Sequence, residues 1–179
     1  DHAIPKSDSF SYTMAGHPWT PNSWLADVAF FLLHSFLGPW GLIIFKSAVA
    51  ALAFALLVPV SPTSPLTTAT VLCLGAMASW TGFTETPAIF DLLMIALLIR
   101  ILIPRRAIRW SSVFEVAVIM LLWANLHGSR AVVGLWMVLI KTVAVSLHTK
   151  DGQRLKNAVV LAVAVLAYAC NPHGLGLLS

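Results

Sequence analysis

Long apolar runs alternate with short polar segments along most of the chain. A helix needs roughly 20 apolar residues to cross a hydrocarbon core of about 30 Å, whereas a membrane barrel is built from short strands of alternating polarity. The pattern therefore predicts an all-α, polytopic membrane protein with about six transmembrane helices, of which the shorter ones extend into the interface or are broken. The predicted spans are residues 39–60, 65–80, 87–103, 110–125, 131–147 and 157–171.

The first part of the chain has a different pattern. Residues 1–23 are polar and rich in Pro and Gly, which predicts a loop at a water interface. The stretch WLADVAFFLLHSFLG that follows sets Asp27 and His34 against apolar positions and ends at a Gly-Pro pair, so it predicts an amphipathic helix lying in the membrane surface. The chain thus divides into 1–38, an extracytoplasmic loop with an interfacial helix, and 39–179, a single transmembrane domain.

Composition supports the membrane class. The chain is 59% hydrophobic and only 10% charged, which leaves too little polar surface for a water-soluble globule. The net charge of +4 comes largely from two loops, and basic and aromatic residues are not interleaved as in nucleic-acid sites, so no nucleic-acid partner is expected. The chain opens at Asp1 without an initiator Met, and we expect it to be a piece of a longer protein.

The basic loops predict an orientation. PRRAIR (104–109) and HTKDGQRLK (148–156) fall on the same side when six spans alternate, and the positive-inside rule makes that side cytoplasmic. The same alternation predicts that the conspicuous polar segments share the extracytoplasmic face. These are the N-terminal loop, WTGFTETP (80–87), WANLHGSR (123–130) and NPHG (171–174).

Five charged residues lie within the apolar runs, where each costs roughly 2.5–3.5 kcal/mol unless it is paired or reaches the interface. Their depths predict an outer ion pair of Lys46 with Asp91 and an inner cluster in which Glu115 meets Lys141 and Arg100. Structural ion pairs are the favoured interpretation over proton or ion transport. Arg100 is expected to extend toward the headgroups.

The outer segments carry carboxylates, imidazoles, amides and a guanidinium. Such a set suits acid–base chemistry, an anionic headgroup or a divalent cation. None of these residues has metal-site spacing, so no metal ligand is predicted and no cofactor is firmly implied.

The N-terminal loop and the later polar segments carry a series of motifs. The residues concerned in the loop are Pro5, Asp8, Phe10, Ser11, Tyr12, Thr13, Gly16, Pro18, Trp19, Trp24 and Leu25. In that loop the chain resembles the first extracytoplasmic loop of a family of bacterial multi-pass membrane proteins of the GT-C glycosyltransferase type. FTETPAIF is similar to the opening of a later helix in the family, and WANLHGS and NPHG are similar to two of its turns, in the same order. Thr86 stands where relatives often have Arg, and Ser23 where they often have Glu. The resemblance implies a GT-C-like fold in a bacterial inner membrane.

What the resemblance implies for function is transfer of a sugar from a polyprenyl-phosphate donor at the outer face, with the bilayer and that lipid as partners. Asp8 would be the catalytic base for the acceptor hydroxyl. His127 and Arg130 would hold the lipid phosphate. Trp19 and Trp24 would provide stacking surface for a sugar or anchor the loop among headgroups.

Each role has an alternative. Asp8 could cap a turn. His127 and Asn125 could bond free carbonyls at the end of the fourth span. Glu85, taken as a substrate-site residue, could instead be a metal ligand, a partner of Lys6 or Arg130, or a solvated charge. The alternative function is a non-catalytic membrane subunit that packs against other subunits of a larger complex.

Overall fold

The computed structural model is all-helical over the residues it describes and forms no strand there. It describes residues 7, 12–13, 15–17, 21–79, 84–103, 109–147 and 151–178. The helices are α1 (Trp24–Leu57), α2 (Pro65–Ala78), α3 (Ala88–Leu102), α4 (Trp110–Leu126), α5 (Gly128–Ser146) and α6 (Asp151–Ala169), with 3-10 turns at Val58–Val60 and Gly174–Leu178.

Helix α1 consists of two arms that fold back on each other at Gly38. The backbone there has φ 63° and ψ −161°, a region that only glycine enters readily, and Pro39 follows. The ring centroids of Phe30 and Phe45 are 6.4 Å apart, although fifteen residues of straight helix would separate them by about 22 Å. The break therefore lies where the sequence predicts the end of the first helix.

Replacing Gly38 with Ala is expected to destabilise the fold by about 1–3 kcal/mol, because a Cβ is strained at this φ and ψ even though no neighbour lies within 4 Å of it. Thermal unfolding in detergent measures the change. Gly75→Ala is the matched control, since Gly75 has no positive φ and its new Cβ would make only an ordinary contact with Phe54. Equal effects of the two substitutions would contradict the conformational role of Gly38.

The other helices surround a core whose largest fully buried side chains are Trp123 and Tyr168. Helix α6 packs on α4 and α5, while α1 packs on α3. Phe30, Phe45 and Phe90 form an aromatic cluster that joins both arms of α1 to α3, with centroid distances of 5.7 to 6.4 Å. Such pairs contribute about 0.5–1.5 kcal/mol each beyond area burial.

Helix α2 stands apart from this core. It begins at a well-formed N-terminus, where the Ser64 hydroxyl accepts a hydrogen bond from the Thr67 amide and Pro65 occupies the first turn. Its apolar side chains remain largely exposed, as the following residues show: Leu66 (79%), Val71 (60%), Leu74 (61%) and Met77 (74%). The capping residues at the start of α2 therefore account for this helix more than packing on the described helices does.

Two helical segments are long and apolar enough to cross a membrane, namely Trp24–Val60 and Gly128–Ser146. Two further helices, Pro65–Ala78 and Trp110–Leu126, are apolar but shorter. The helical class predicted from the sequence is thus confirmed for the described residues. The six-span topology stays a prediction.

Candidate polar site at one end of the bundle

The carboxylate of Asp91, in the first turn of α3, binds two side chains from the end of α4. Its Oδ1 accepts a hydrogen bond of 2.7 Å from the Trp123 indole Nε1. Its Oδ2 lies 2.8 Å from His127 Nδ1. The side chains of Asp91 and His127 are only 14% and 17% exposed, so both oxygens of a mostly buried carboxylate are engaged.

The local sequence of α4 explains this arrangement. Trp123 and His127 are four residues apart and therefore lie on one face of the helix, one turn from each other. Helix α4 ends at Leu126, and His127 has the extended backbone (φ −154°, ψ 73°) that turns the chain directly into α5 at Gly128. A one-residue corner thus presents the imidazole to the adjacent helix α3.

Gly134 allows α5 to approach the indole that holds Asp91. A Cβ at this position would lie 2.7 Å from Met120 Sδ and 2.9 Å from Trp123 Cζ3. The side chain of Trp123 is fully buried in this contact. Close packing between α4 and α5 therefore fixes the donor to Asp91 Oδ1.

Asn125 joins three segments at the same end of the bundle. Its Oδ1 accepts a 2.8 Å bond from Trp24 Nε1 at the start of α1. Its Nδ2 donates to Leu121 O at 2.8 Å and to Cys170 O, after the end of α6, at 2.9 Å. The amide thus bonds one carbonyl of α4, the helix for which the sequence predicted such bonds, and a second carbonyl beyond the end of α6.

The segment before α1 and the turn after α6 meet this corner as well. The Gly128 amide donates to Asn22 O at 3.2 Å. The NPHG segment forms a helix-ending turn in which Asn171 Nδ2 donates to Tyr168 O (2.6 Å) and Gly174 O (2.9 Å). Asn22 from the end of the N-terminal loop, the 125–128 corner and the turn after α6 therefore meet at one end of the bundle, and the 84–87 segment leads into α3 beside Asp91 at the same end.

The predicted pairing of Lys46 with Asp91 is wrong in its partners. Lys46 Nζ forms an ion pair with Glu85 Oε1, and Asp91 pairs with His127. Lys46 does lie at the same end of the bundle as Asp91, but the rotation of α1 turns it toward the loop before α3. Glu85 is 41% exposed, and the hydrogen bond from Lys46 is the main reason that its pKa lies below the usual value of 4.5.

The Lys46–Glu85 pair predicts a small pH dependence of stability. Because the pKa of Glu85 is lowered in the folded state, its contribution is complete above the ordinary pKa and is lost as the pH falls through the lowered value. The difference in melting temperature between wild type and Glu85→Gln should therefore shrink below about pH 4.5. In a Lys46→Gln background the difference should be much smaller, since only the backbone hydrogen bond at Glu85 still lowers its pKa, and an unchanged difference there would contradict the pairing.

The other predicted residues are distributed as follows. Asp8 and Trp19 lie outside the described residues. Arg130 is exposed in the first turn of α5, and Trp24 is half-buried and uses its indole N–H on Asn125. Glu115 and Lys141 are half-buried on α4 and α5, and each has a partner within the protein. Among the described residues, no three His, Cys, Asp or Glu side chains cluster as metal ligands would.

Comparison with protein-family models, curated proteins and solved structures gives no match. The GT-C resemblance therefore stays a prediction, and the chemistry of the site is what bears on function.

The Asp91–His127 pair is suited to holding a charge or moving a proton. A carboxylate at Nδ1 fixes the orientation and tautomer of an imidazole, so that Nε2 can accept or donate a proton. His127 Nε2 makes no hydrogen bond to the described part of the chain. The sequence carries one signal for this pair, since the spacing of Trp123 and His127 places them on one helical face at the depth of Asp91.

Proposed function

We propose that this chain is part of an integral membrane glycosyltransferase, which transfers a sugar from a polyprenyl-phosphate donor at the extracytoplasmic face. The observation that carries the proposal is the Asp91–His127 pair, since it lies at the end of the bundle where Asn22, the WANLHGS turn and the residue before NPHG meet. The donor chemistry comes from the resemblance. The Asp91–His127 pair provides the acid–base groups for this chemistry at one end of the bundle.

Exposure supports a membrane setting. The candidate span in α1 is strongly apolar, yet only 17% of its most apolar window is buried inside the protein. A core helix of a soluble protein would bury most of such a stretch. Large apolar side chains face outward instead, including Phe36 (81%), Trp40 (73%) and Ile44 (66%). A lipid environment removes the free-energy cost that water would impose on this surface.

Loop charge supports the orientation. Arg109 and Arg154 lie beside or in the two basic loops, at the ends of α4 and α6 opposite to His127 and Cys170. The positive-inside rule places those loops in the cytoplasm, so the Asp91–His127 end faces outward. Lipid-linked sugars are presented to GT-C enzymes on that face.

The proposed reaction uses a base, an electrophile and a leaving group. Asp8 takes the proton of the acceptor hydroxyl, whose oxygen forms a bond to the anomeric carbon as the bond to the polyprenyl phosphate breaks. Negative charge then develops on the phosphate. A protonated His127, held by Asp91, and the Arg130 guanidinium three residues along the chain would stabilise that charge.

Turnover of a labelled polyprenyl-phosphate sugar, measured in membranes that carry the intact protein, tests this proposal. Asp8→Asn should reduce release of polyprenyl phosphate by about 100-fold or more if Asp8 is the base. Asp27→Asn is the matched control, because Asp27 is an exposed carboxylate near the same part of the chain and outside the proposed site. Unchanged turnover in Asp8→Asn would eliminate Asp8 as the base.

One observation favours a different function, that of a non-catalytic subunit. Helix α2 exposes a row of apolar side chains and packs little on the described helices, as a helix that contacts another subunit would. Under this function, Leu74→Asn would change the size of the complex extracted in mild detergent. No lipid-linked sugar would be consumed by the wild type.

A further inference from the structure

An open groove of about 690 Å³ lies between the end of α1, α3 and α4. Its walls are mainly apolar, and two charged side chains line it. Apolar residues that line the groove include Val60, Leu97, Phe114 and Val118, and the charged ones are Arg100 and Glu115. Its volume falls within the range of about 300–1,000 Å³ that is typical of ligand sites.

The groove is separate from the Asp91–His127 site. Arg100 follows Asp91 by nine residues of α3, or about 13 Å, and Glu115 precedes His127 by twelve residues, or about 18 Å. Helix α3 ends and α4 begins at the groove end. The groove therefore opens at the opposite end of the bundle from the candidate site.

Three basic residues of the described chain lie near this end of the bundle. Arg100, which lines the groove, and Arg109, directly before α4, are both exposed. Lys156 Nζ lies 5.8 Å from the centroid of the Trp110 ring at the start of α4. Glu115 also lines the groove, but it already has a partner within the protein. The exposed guanidinium of Arg100 is therefore the group in the groove that suits an anion.

From this juxtaposition we propose that the groove binds an anionic phospholipid, with an acyl chain along Leu97, Phe114 and Val118 and the headgroup phosphate at Arg100. The apolar walls match the acyl chain, and the cationic rim matches the phosphate. The inference rests on the membrane setting of the proposed function and is independent of sugar transfer. A phospholipid bound here would fix the end of α1 against α3 and α4.

The charge part of the proposal is tested with nanodiscs that contain the intact protein in phosphatidylcholine and phosphatidylglycerol. Native mass spectrometry of the protein released from them gives the ratio of the two retained lipids. Arg100→Gln should lower the preference for phosphatidylglycerol by about fivefold, since one basic residue near a membrane contributes that much attraction for anionic lipid. Arg100→Lys should restore most of the preference. An unchanged ratio in Arg100→Gln overturns the proposal.

The groove part is tested by filling the groove. Val118→Trp should reduce the number of retained lipids of both kinds, whereas Val133→Trp should not, because Val133 is similarly exposed but lies outside the groove on α5. Equal lipid retention in the two variants overturns the proposal. If Val118→Trp instead changes the oligomeric state and leaves retention unchanged, the groove is an interface between proteins. Loss of lipid retention without loss of sugar turnover would separate this site from the proposed function.

Discussion

Replacing His127 with Gln is expected to lower sugar transfer by about 100-fold or more in membranes that carry the intact protein. Gln keeps a hydrogen-bonding group near Asp91 Oδ2 but has no positive charge and cannot transfer a proton. The stabilisation of the leaving phosphate would therefore be lost while the corner between α4 and α5 is kept. Release of labelled polyprenyl phosphate is the quantity to measure.

Two further variants make this expectation specific. His34→Gln is the matched control, because His34 is exposed on α1 and has no place in the proposed site. Asp91→Asn should also reduce turnover, but it should add little in a His127→Gln background if Asp91 acts only by holding the imidazole. Full turnover in His127→Gln would rule out a role of the Asp91–His127 pair in the reaction.

The largest expected effect on stability comes from Asn125→Ala, which should destabilise the fold by about 3 kcal/mol. The substitution removes three hydrogen bonds and leaves the Trp24 indole and the Cys170 carbonyl without their partner. Because Asn125 joins the start of α1, α4 and the residue after α6, the loss should reduce the melting temperature of the whole bundle. Thermal unfolding in detergent measures it.

Trp24→Phe separates the contributions to this effect. It removes one of the three hydrogen bonds and keeps most of the ring, so we expect a loss of only about 1 kcal/mol. In the double-mutant cycle, Trp24→Phe should have a smaller effect once Asn125 is already Ala. Full additivity of the two substitutions would show that the indole and the amide do not interact.

The observed helix bounds agree closely with those predicted from the hydrophobic pattern, and the differences between them have simple causes. Helix α3 (Ala88–Leu102) is one residue shorter at each end than the predicted span 87–103. Helix α4 (Trp110–Leu126) begins where the span 110–125 was predicted to begin and ends one residue later. The last predicted span began at 157, whereas α6 begins at Asp151. Polar residues such as Gln153 and Lys156 continue a helix as readily as apolar ones, so apolarity alone marks the membrane-like part of a helix and not its start.

Side-chain partners were less predictable than helices. Sequence depth placed Lys46 and Asp91 at one level, but a partner also depends on the rotation of each helix about its axis, which packing decides. The aromatic cluster of Phe30, Phe45 and Phe90 sets how α1 meets α3, and its formation requires the reversal at Gly38. The sequence marked that reversal as a helix end and gave no angle for it.

The role of Trp24 illustrates the same point. A Trp at the start of an apolar helix is typical of a membrane anchor or a stacking surface, and these were the roles predicted for it. Those roles stay predictions, and the structure adds a contact that was not predicted, in which the indole N–H donates to Asn125, more than a hundred residues away in the chain. Such a long-range contact depends on how α1, α4 and α6 assemble, so no local pattern contains it.

We propose that the polar segments share one membrane face. Cysteine labelling tests this shared face most directly, after Cys73 and Cys170 are replaced with Ala. Single cysteines at Thr84, Ser129 and Ser111, all exposed in the structure, are treated with a membrane-impermeant maleimide in right-side-out vesicles. We expect labelling at positions 84 and 129 from outside, and at 111 only after permeabilisation. Labelling of positions 84 and 129 from opposite sides would contradict it.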